Sequence, residues 1–153
     1  MISKVKHRTI ILTIFFVTIF VAIVLFLYPF SYSAKVILGG KTFNVEVVDT
    51  KEFLEKGLSR RKSLSESNGM LFDFQKSDNY GFWMKDMSFS IDIVWFDSDL
   101  KIVHMEKSIS PKTYPKIFYP NSPSAYVLEI SAGQSDSLGL KIGDSAKLIK
   151  KYF

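Results

Sequence analysis

The sequence predicts a mainly β domain that follows a single apolar, membrane-spanning segment. Two observations support this fold class. An uncharged apolar run occupies the N-terminal part of the 153-residue chain, and short strand-like runs separated by turn residues occupy the rest. Helix signals in that second part are few and short. Several short strands with regular turns and little helix are typical of a closed or double-layered β fold.

Residues 1–34 are predicted to form an N-terminal membrane anchor. No charged residue occurs in Thr9–Phe30, and a helix of that length would rise about 33 Å, which matches a hydrocarbon core of about 30 Å. Three basic residues precede the run without an acidic one, so the remainder of the chain is predicted to lie outside the cytoplasm. A cleaved signal peptide is the alternative, because Ser31-Tyr32-Ser33 loosely resembles a cleavage site. The protein would then be secreted.

Residues 35–153 are predicted to form one exported domain, since about 120 residues can bury a single core. The chain has no cysteine, which excludes disulfides and thiolate chemistry. Three of the 20 basic residues precede the apolar run, leaving 17 basic and 15 acidic residues, or +2. This balance does not predict nucleic-acid binding. His104 is the only histidine of the domain, so neither a metal nor another cofactor is predicted.

The first elements of the domain are predicted from alternation and capping signals. Ser31–Lys35 is expected to be a short tether, and Lys41–Val48 alternates polar and apolar residues as a half-buried strand does. Asp49 and Glu52 have the spacing of a capping box, which predicts the start of a short helix. Gly57 is placed where a left-handed residue would end that helix.

The remaining elements are predicted to be strands joined by turns. Asn68-Gly69 is a turn signal. The strands that follow are predicted at Met70–Phe74, Gly81–Lys85, Ile91–Phe96, Lys101–Glu106, Ala125–Ile130 and Ala146–Ile149. Ser108–Ser124 contains four prolines and is predicted to be an irregular loop, which either has a function or covers one end of the β fold. Gln134–Leu138 is predicted to be a helical turn.

A series of short motifs between Val45 and Leu148 also identifies a family. In order, the motifs are Gly57-Leu58, Arg61, Leu64, Gly69–Phe72, Phe82–Lys85, Asp92, Tyr126–Glu129, Ala132-Gly133, Gly139 and Gly143-Asp144. This order resembles domain-of-unknown-function family 192, also called UPF0127. The resemblance implies a small β-barrel or jelly-roll-like domain that is often exported or anchored. It implies no established activity.

Trp83 and Lys85 are candidate binding residues because alternation along a strand places them on one face. An aromatic ring beside a cation could bind a carboxylate-bearing or saccharide ligand. The alternative is structural: the lysine stem lies along the ring while its ammonium group is solvated or paired with Asp86 or Asp92.

Asp92, Glu129 and Arg61 are the other candidate site residues. Each carboxylate interrupts an apolar strand, and paired carboxylates hydrolyse glycosidic bonds when they lie about 5–9.5 Å apart. The alternative is that they face solvent or bind Arg61 or Lys85. The guanidinium group of Arg61 could bind a phosphate or a carboxylate ligand, or it could tie its loop to one of the two strand carboxylates.

The function predicted from these residues is a non-enzymatic binding or accessory module for a polar or anionic ligand of the cell envelope. Arg61, Trp83 and Lys85 are its expected main contacts. One alternative is a metal-independent hydrolase or lyase that uses the two strand carboxylates, with Arg61 or Lys85 stabilising developing negative charge. Another is a docking module for an envelope protein, which would use the proline-rich loop.

Overall fold

The computed structural model of the chain describes residues 13–21 and 32–150, which belong to two separate compact units. Residues 13–21 form a helix, α1, with exposed apolar side chains. The rest of the predicted anchor, Thr9–Phe30, lies outside the described residues. None of the described helices combines the length and the apolar character that a membrane crossing requires. Membrane anchoring therefore stays a prediction.

Residues 32–150 are mainly β, as predicted. Their strands are β1 (Tyr32–Leu38), β2 (Lys41–Val48), β3 (Asn68–Asp78), β4 (Phe82–Trp83), β5 (Ile91–Phe96), β6 (Ile102–Ile109), β7 (Ile117–Phe118), β8 (Ser124–Ser131) and β9 (Lys147–Lys150). Their helices are short: α2 (Lys51–Lys56), a 3-10 helix (Pro111–Thr113) and α3 (Gln134–Ser137).

Seven of the strands form one sheet in the order β6-β5-β8-β3-β2-β1-β9, and β4 pairs with β7 in a second, two-stranded sheet. All pairs are antiparallel except β2 with β3. A parallel pair needs a long crossover connection, and α2 lies within the one that joins these two strands. The crossover brings α2 close to the sheet.

The large sheet is open, so the prediction of a closed barrel is wrong. Its edge strands β6 and β9 are not paired with each other. An isolated bridge between Lys101 and Ser145 and backbone hydrogen bonds of residues 100 and 102 with residues 143–146 link the segments where these strands begin. Leu100 and Gly143 have φ values of 59° and 93°. Because an extended strand requires negative φ, the chain turns at both positions instead of continuing a ladder between the edges.

Both faces of the large sheet are buried. On face A the core includes Val36, Phe43, Val45, Leu71, Val94, Phe96, Leu128 and Ile130. On face B it includes Met70, Phe72, Ile91, Ile93, Trp95 and Val127, together with Leu58, Phe82 and Phe118 from outside the large sheet. Every residue of β5 is therefore buried, which explains its nearly continuous apolar sequence.

Three local predictions need correction. The expected tether Ser31–Lys35 overlaps β1, because Ala34 and Val36 point into the core and the strand pairs with β2 along its whole length. The cap of α2 is Thr50 rather than a box of Asp49 and Glu52, and its side chain makes no capping hydrogen bond. Asn68-Gly69 begins β3 instead of forming a turn. Gly57 does end α2, with a positive φ of 50°, but its ψ of −136° lies outside the left-handed helical region.

Two predictions about the segments around β4 and β7 also need correction. The strand expected at Gly81–Lys85 shortens to β4, and its partner β7 lies inside the predicted loop Ser108–Ser124. Phe82 and Phe118 are opposite each other in this pair, and both side chains are buried on face B. The small sheet therefore covers part of face B.

Gly69 permits the close approach of β3 and β8. A Cβ atom at this position would lie 2.9 Å from the backbone oxygen of Glu129 and 3.2 Å from Cγ2 of Ile130. We expect Gly69→Ala to lower the free energy of unfolding by about 1–3 kcal/mol, because two central strands would have to separate. Urea denaturation measures this. Thr42→Ala, at an exposed position of β2, is the control and should change stability by less than about 0.5 kcal/mol. Equal stability of Gly69→Ala and the unchanged protein would contradict the prediction.

Candidate functional site

A cleft on face B, here called the Glu129 cleft, lies where the chain segment of α2 meets β3, β4 and β8. Its volume is about 230 Å³. Its aromatic lining consists of Phe72, Phe74, Tyr80, Phe82 and Trp83. Its polar lining consists of Glu55, Lys56, Ser59 and Glu129. The cleft therefore combines aromatic walls with a small number of polar groups, as small-molecule sites do.

Glu129 occupies a central position in the large sheet and is almost fully buried. It lies on β8 opposite Met70 of β3 and Ile93 of β5, and only 4% of its surface is exposed. The backbone N–H of Leu58 donates a hydrogen bond to its carboxyl group. The second oxygen, Oε2, has no hydrogen-bond partner among the described residues. One half of this carboxyl group is thus unpaired within the lining of the cleft.

Burial raises the pKa of Glu129 to about 8, because removal from water disfavours the charged form. The Leu58 hydrogen bond and the positive charge of Arg61 oppose this shift without cancelling it. The side chain is therefore mainly protonated at neutral pH. Gly57 leaves space beside it, since a Cβ atom there would lie 3.5 Å from Oε2.

The aromatic walls of the cleft are packed against one another. The rings of Phe74 and Tyr80 are stacked with centroids 3.6 Å apart, and the Phe72 and Phe82 rings meet edge to face at 4.8 Å. The hydroxyl group of Tyr80 donates a hydrogen bond to the backbone oxygen of Lys76 at 3.1 Å. Each wall is thus held by its neighbours, so the cleft does not depend on a ligand for its shape.

Trp83 and Lys85 lie at the outer side of the cleft. The Nζ atom of Lys85 is 5.6 Å from the centroid of the Trp83 ring, although Lys85 lies in the turn after β4 and not on the strand that alternation assumed. Trp83 is 44% exposed and also lines a neighbouring outer groove. The charged residues of this outer groove are Glu55, Lys56, Arg60, Lys85 and Asp86. Lys85 therefore belongs to the groove outside the Glu129 cleft.

Asp92 is a fully buried carboxylate whose contacts are all with backbone amides. It accepts hydrogen bonds from the N–H groups of Ser108 at 2.8 Å, Gly133 at 3.0 Å and Ser135 at 2.7 Å. These bonds join β5 to the end of β6 and to the turn that begins α3. The arrangement is that of a structural carboxylate that fastens three segments together.

Asp92 and Glu129 point to opposite faces of the large sheet. Asp92 is opposite Ile130, whose side chain is on face A, whereas Glu129 is opposite Ile93, whose side chain is on face B. Side chains of successive strand residues alternate between faces. The structure therefore does not bring the two strand carboxylates into one cleft.

Arg61 forms a bidentate ion pair with Glu46 of β2. The Nη1–Oε1 and Nη2–Oε2 distances are 2.6 and 2.7 Å. The expected partners, Glu129 and Asp92, are not the ones it binds, because Glu46 is within reach of both nitrogen atoms. The hydrogen bonds from Arg61 lower the pKa of Glu46. Arg61 still acts on Glu129 through its positive charge.

The sequence indicates Glu129 and Trp83 of this cleft, but not the other aromatic residues of its walls. Phe72, Phe74, Tyr80 and Phe82 were not singled out, although their density in one short segment is a usable signal. The amide of Leu58 could not be foreseen, since a backbone donor leaves no mark in a sequence. Within the described residues, no group of three metal-ligating side chains comes together.

Comparison with known proteins assigns the chain to a family. The sequence profile described as "Uncharacterized ACR, COG1430", the family DUF192, matches residues 34–148. The chain belongs to the DUF192 family. This confirms the resemblance to UPF0127, which is the same family. A comparison with curated protein sequences finds no match.

Two solved structures are similar to this DUF192 domain. One is a candidate transcription regulator from Sinorhizobium meliloti 1021, with 31% identity and a TM-score of 0.72 over 78% of this chain and 97% of that one. The other is a protein of unknown function from Novosphingobium aromaticivorans DSM 12444, with 27% identity and a TM-score of 0.69 over 75% of this chain and 83% of that one. Both share the fold, and neither description assigns a ligand.

Replacement of Asp92 by alanine should destabilise the domain strongly. The substitution leaves three backbone N–H groups without their acceptor, and each unsatisfied buried donor costs about 1–3 kcal/mol. We expect the free energy of unfolding to fall by about 3 kcal/mol or more, measured by urea denaturation. Asp99→Ala, at an exposed position, is the control. A loss below about 1 kcal/mol for Asp92→Ala would refute the structural role.

Glu129 should make the domain less stable as the pH rises. Its pKa is about 8 in the folded state against 4.5 in the unfolded chain, so the folded state binds more protons between these values. The free energy of unfolding contributed by this group therefore decreases from about pH 4.5 to about pH 8 and is constant above. Glu129→Gln removes the effect and should exceed the unchanged protein in stability by about 2 kcal/mol or more at about pH 9, with little difference at about pH 5.

Urea denaturation at both pH values measures this difference. Glu66→Gln, at an exposed position, is the matched control and should keep the pH dependence of the unchanged protein. If Glu129→Gln keeps the same pH dependence as Glu66→Gln, Glu129 is ionised in the folded state and the prediction is wrong.

Proposed function

We propose that this DUF192 domain is a non-enzymatic binding module and that the Glu129 cleft is its binding site. One observation carries the proposal. A nearly fully buried carboxyl group, with one oxygen lacking a partner among the described residues, lies in the lining of an aromatic cleft. A buried polar atom without a partner is costly, and a ligand that supplies one removes the cost.

The shape and lining of the cleft support a small ligand with an apolar surface and one strongly polar group. Rings from Phe72, Phe74, Tyr80 and Phe82 offer their surfaces to the apolar part. Glu129 offers an acceptor or, when protonated, a donor. Because the walls are already packed, little side-chain freedom is lost on binding, which favours affinity.

An anionic group of such a ligand belongs in the outer groove rather than at Glu129. Lys56, Arg60 and Lys85 outnumber the acids Glu55 and Asp86 there, and Arg60 is paired with Asp86 at 3.6 Å. Trp83 lines both the cleft and the groove, so a ligand that extends from one to the other would pass it. Arg61 would act only through its charge, because Glu46 occupies its hydrogen-bonding groups.

We also propose that the domain acts in the cell envelope, attached to the membrane by its N-terminal segment. The support is the uncharged run Thr9–Phe30 and the basic residues before it. Digestion of the domain by a protease added outside intact spheroplasts would test this. Protection of the domain from that protease would oppose it.

Docking of an envelope protein is a second candidate function, favoured by one observation. Four large apolar side chains around β4 and β7 are 41–55% exposed, namely Trp83, Tyr114, Ile117 and Tyr119. An exposed apolar patch rimmed by polar residues is typical of a protein contact. Substitution of Tyr119 by serine should then reduce co-purification of a specific partner.

Of the two carboxyl groups that the hydrolase alternative requires, Glu129 lines the cleft and Asp92 does not. Asp92 points to the opposite face of the sheet, and in the described part of the chain Glu55 is the other acid that lines the cleft. Glu55 is exposed on the short helix α2. An acid and base pair needs both carboxyl groups held against one substrate. The binding module is therefore the function that this arrangement favours.

Ligand-observed saturation-transfer NMR tests the binding module. We expect at least one of two probes, methyl β-glucoside or choline, to receive saturation from the full chain in a polyoxyethylene detergent. Leu54→Trp places a larger side chain in the lining and should abolish the signal. Glu52→Trp introduces the same side chain at an exposed position of α2 outside the lining, and it should keep the signal. Absence of signal from both probes would overturn the proposal.

A further inference from the structure

We propose that the ligand of the Glu129 cleft carries an organic cation, a substituted or quaternary ammonium group, which pairs with the ionised Glu129 carboxylate and is surrounded by aromatic rings. This inference rests on the proposed function and adds the chemical class of the ligand. It depends on the unpaired oxygen of Glu129, on the composition of the walls and on the small number of other polar groups in the cleft.

The aromatic walls favour positive charge over negative charge. The face of an aromatic ring carries partial negative charge and attracts a cation that approaches within about 6 Å of its centroid. The cleft has five aromatic residues in its lining. One of these rings already holds a cation, since Nζ of Lys85 lies 5.6 Å from the centroid of Trp83. An anion would meet the negative faces of these rings unfavourably.

The inner part of the cleft also disfavours a ligand with many hydroxyl groups. Each hydroxyl that leaves water needs a new hydrogen-bond partner. The Tyr80 hydroxyl already donates to the backbone oxygen of Lys76, and the hydroxyl group of Ser59 donates to the backbone oxygen of Lys85. Oε2 of Glu129 is the buried acceptor that is unpaired in the lining. One ammonium group matches one carboxylate better than a saccharide does.

A cation would also remove the energetic conflict at Glu129. The carboxyl group is protonated at neutral pH because burial disfavours its charge. An ammonium group beside it compensates that charge, so ionisation becomes favourable when the ligand is bound. With a permanently charged ligand the O–H bond of the carboxyl group breaks, the carboxylate stays with the cation, and the proton passes to the buffer.

Other charged groups around Glu129 also affect its charge. α2 contributes Glu55 and Lys56 to the lining, and the segment before β4 contributes Tyr80, whose pKa is raised mainly by burial. Arg61 acts on Glu129 through its charge and is paired with Glu46 of β2. Glu55 and Lys56 carry opposite charges, and Arg61 is compensated by its partner. Glu129 is therefore the group that must ionise when a cation enters.

Isothermal titration calorimetry with choline and its neutral isostere 3,3-dimethyl-1-butanol tests the inference. The full chain in polyoxyethylene detergent is titrated in two buffers of different ionisation enthalpy, so that the proton count is obtained directly. We expect choline to bind at least about tenfold more tightly than the isostere and to release about one proton per molecule well below pH 8. Its apparent affinity should rise by up to about tenfold per pH unit in that range.

Two variants localise the effect. Glu129→Gln keeps the size of the side chain but cannot ionise, so choline binding should weaken by about tenfold or more and the proton release should vanish. Glu55→Gln removes the other acid of the lining and should keep both. The proton count in the unchanged protein needs no variant, so the test stands even if Glu129→Gln does not fold.

Three results would overturn the inference. The first is equal affinity for choline and the isostere. The second is choline binding without proton release at about pH 6 to 7, where Glu129 of the free protein is protonated. The third is saturation transfer to methyl β-glucoside together with no binding of choline. In the third case the proposal of a binding module stands and only the ligand class is wrong. Absence of saturation transfer to both probes would instead overturn the binding module itself.

Discussion

Burial of both faces of the large sheet is the constraint on which the rest of the structure depends. Face A is covered by the sheet's own side chains and neighbouring loops, while face B needs Leu58, Phe82 and Phe118 from outside the sheet. The crossover through α2 and the small sheet of β4 and β7 supply them. The Glu129 cleft lies where these two covers meet. The site is thus a consequence of how face B is covered.

The two buried carboxyl groups of the sheet show two different responses to burial. Asp92 is surrounded by three backbone donors and binds together segments that are distant in the chain. Glu129 has one backbone donor and keeps an unpaired oxygen, and its pKa rises to about 8. A charged buried group needs donors, whereas a protonated one can persist with few. Two central strands of one sheet therefore carry a structural carboxyl group on one face and a protonated, incompletely paired one on the other.

The mainly β fold and its strands were predictable because alternation and turn residues are local signals. The open sheet was not, since it depends on positive φ values at Leu100 and Gly143 and on edges that fail to pair. The start of β1 was not predictable, because the apolar run before it indicates that the domain begins at residue 35 and not at Tyr32. The role of Asp92 depends on donors that lie 16, 41 and 43 positions away. Contacts of that separation are set by topology, which a single sequence does not reveal.

The contrast between the two acids is also the strongest argument for a ligand at Glu129. This fold satisfies a buried carboxylate fully where the group is structural, as at Asp92. An apolar residue at position 129 would fit face B without any desolvation cost, and such replacements of buried charged groups are often neutral or stabilising. Glu129 instead combines the cost of burial with an unpaired oxygen near Gly57 and five aromatic residues in the cleft lining. Structure alone does not require that arrangement, and a bound cation would complete it.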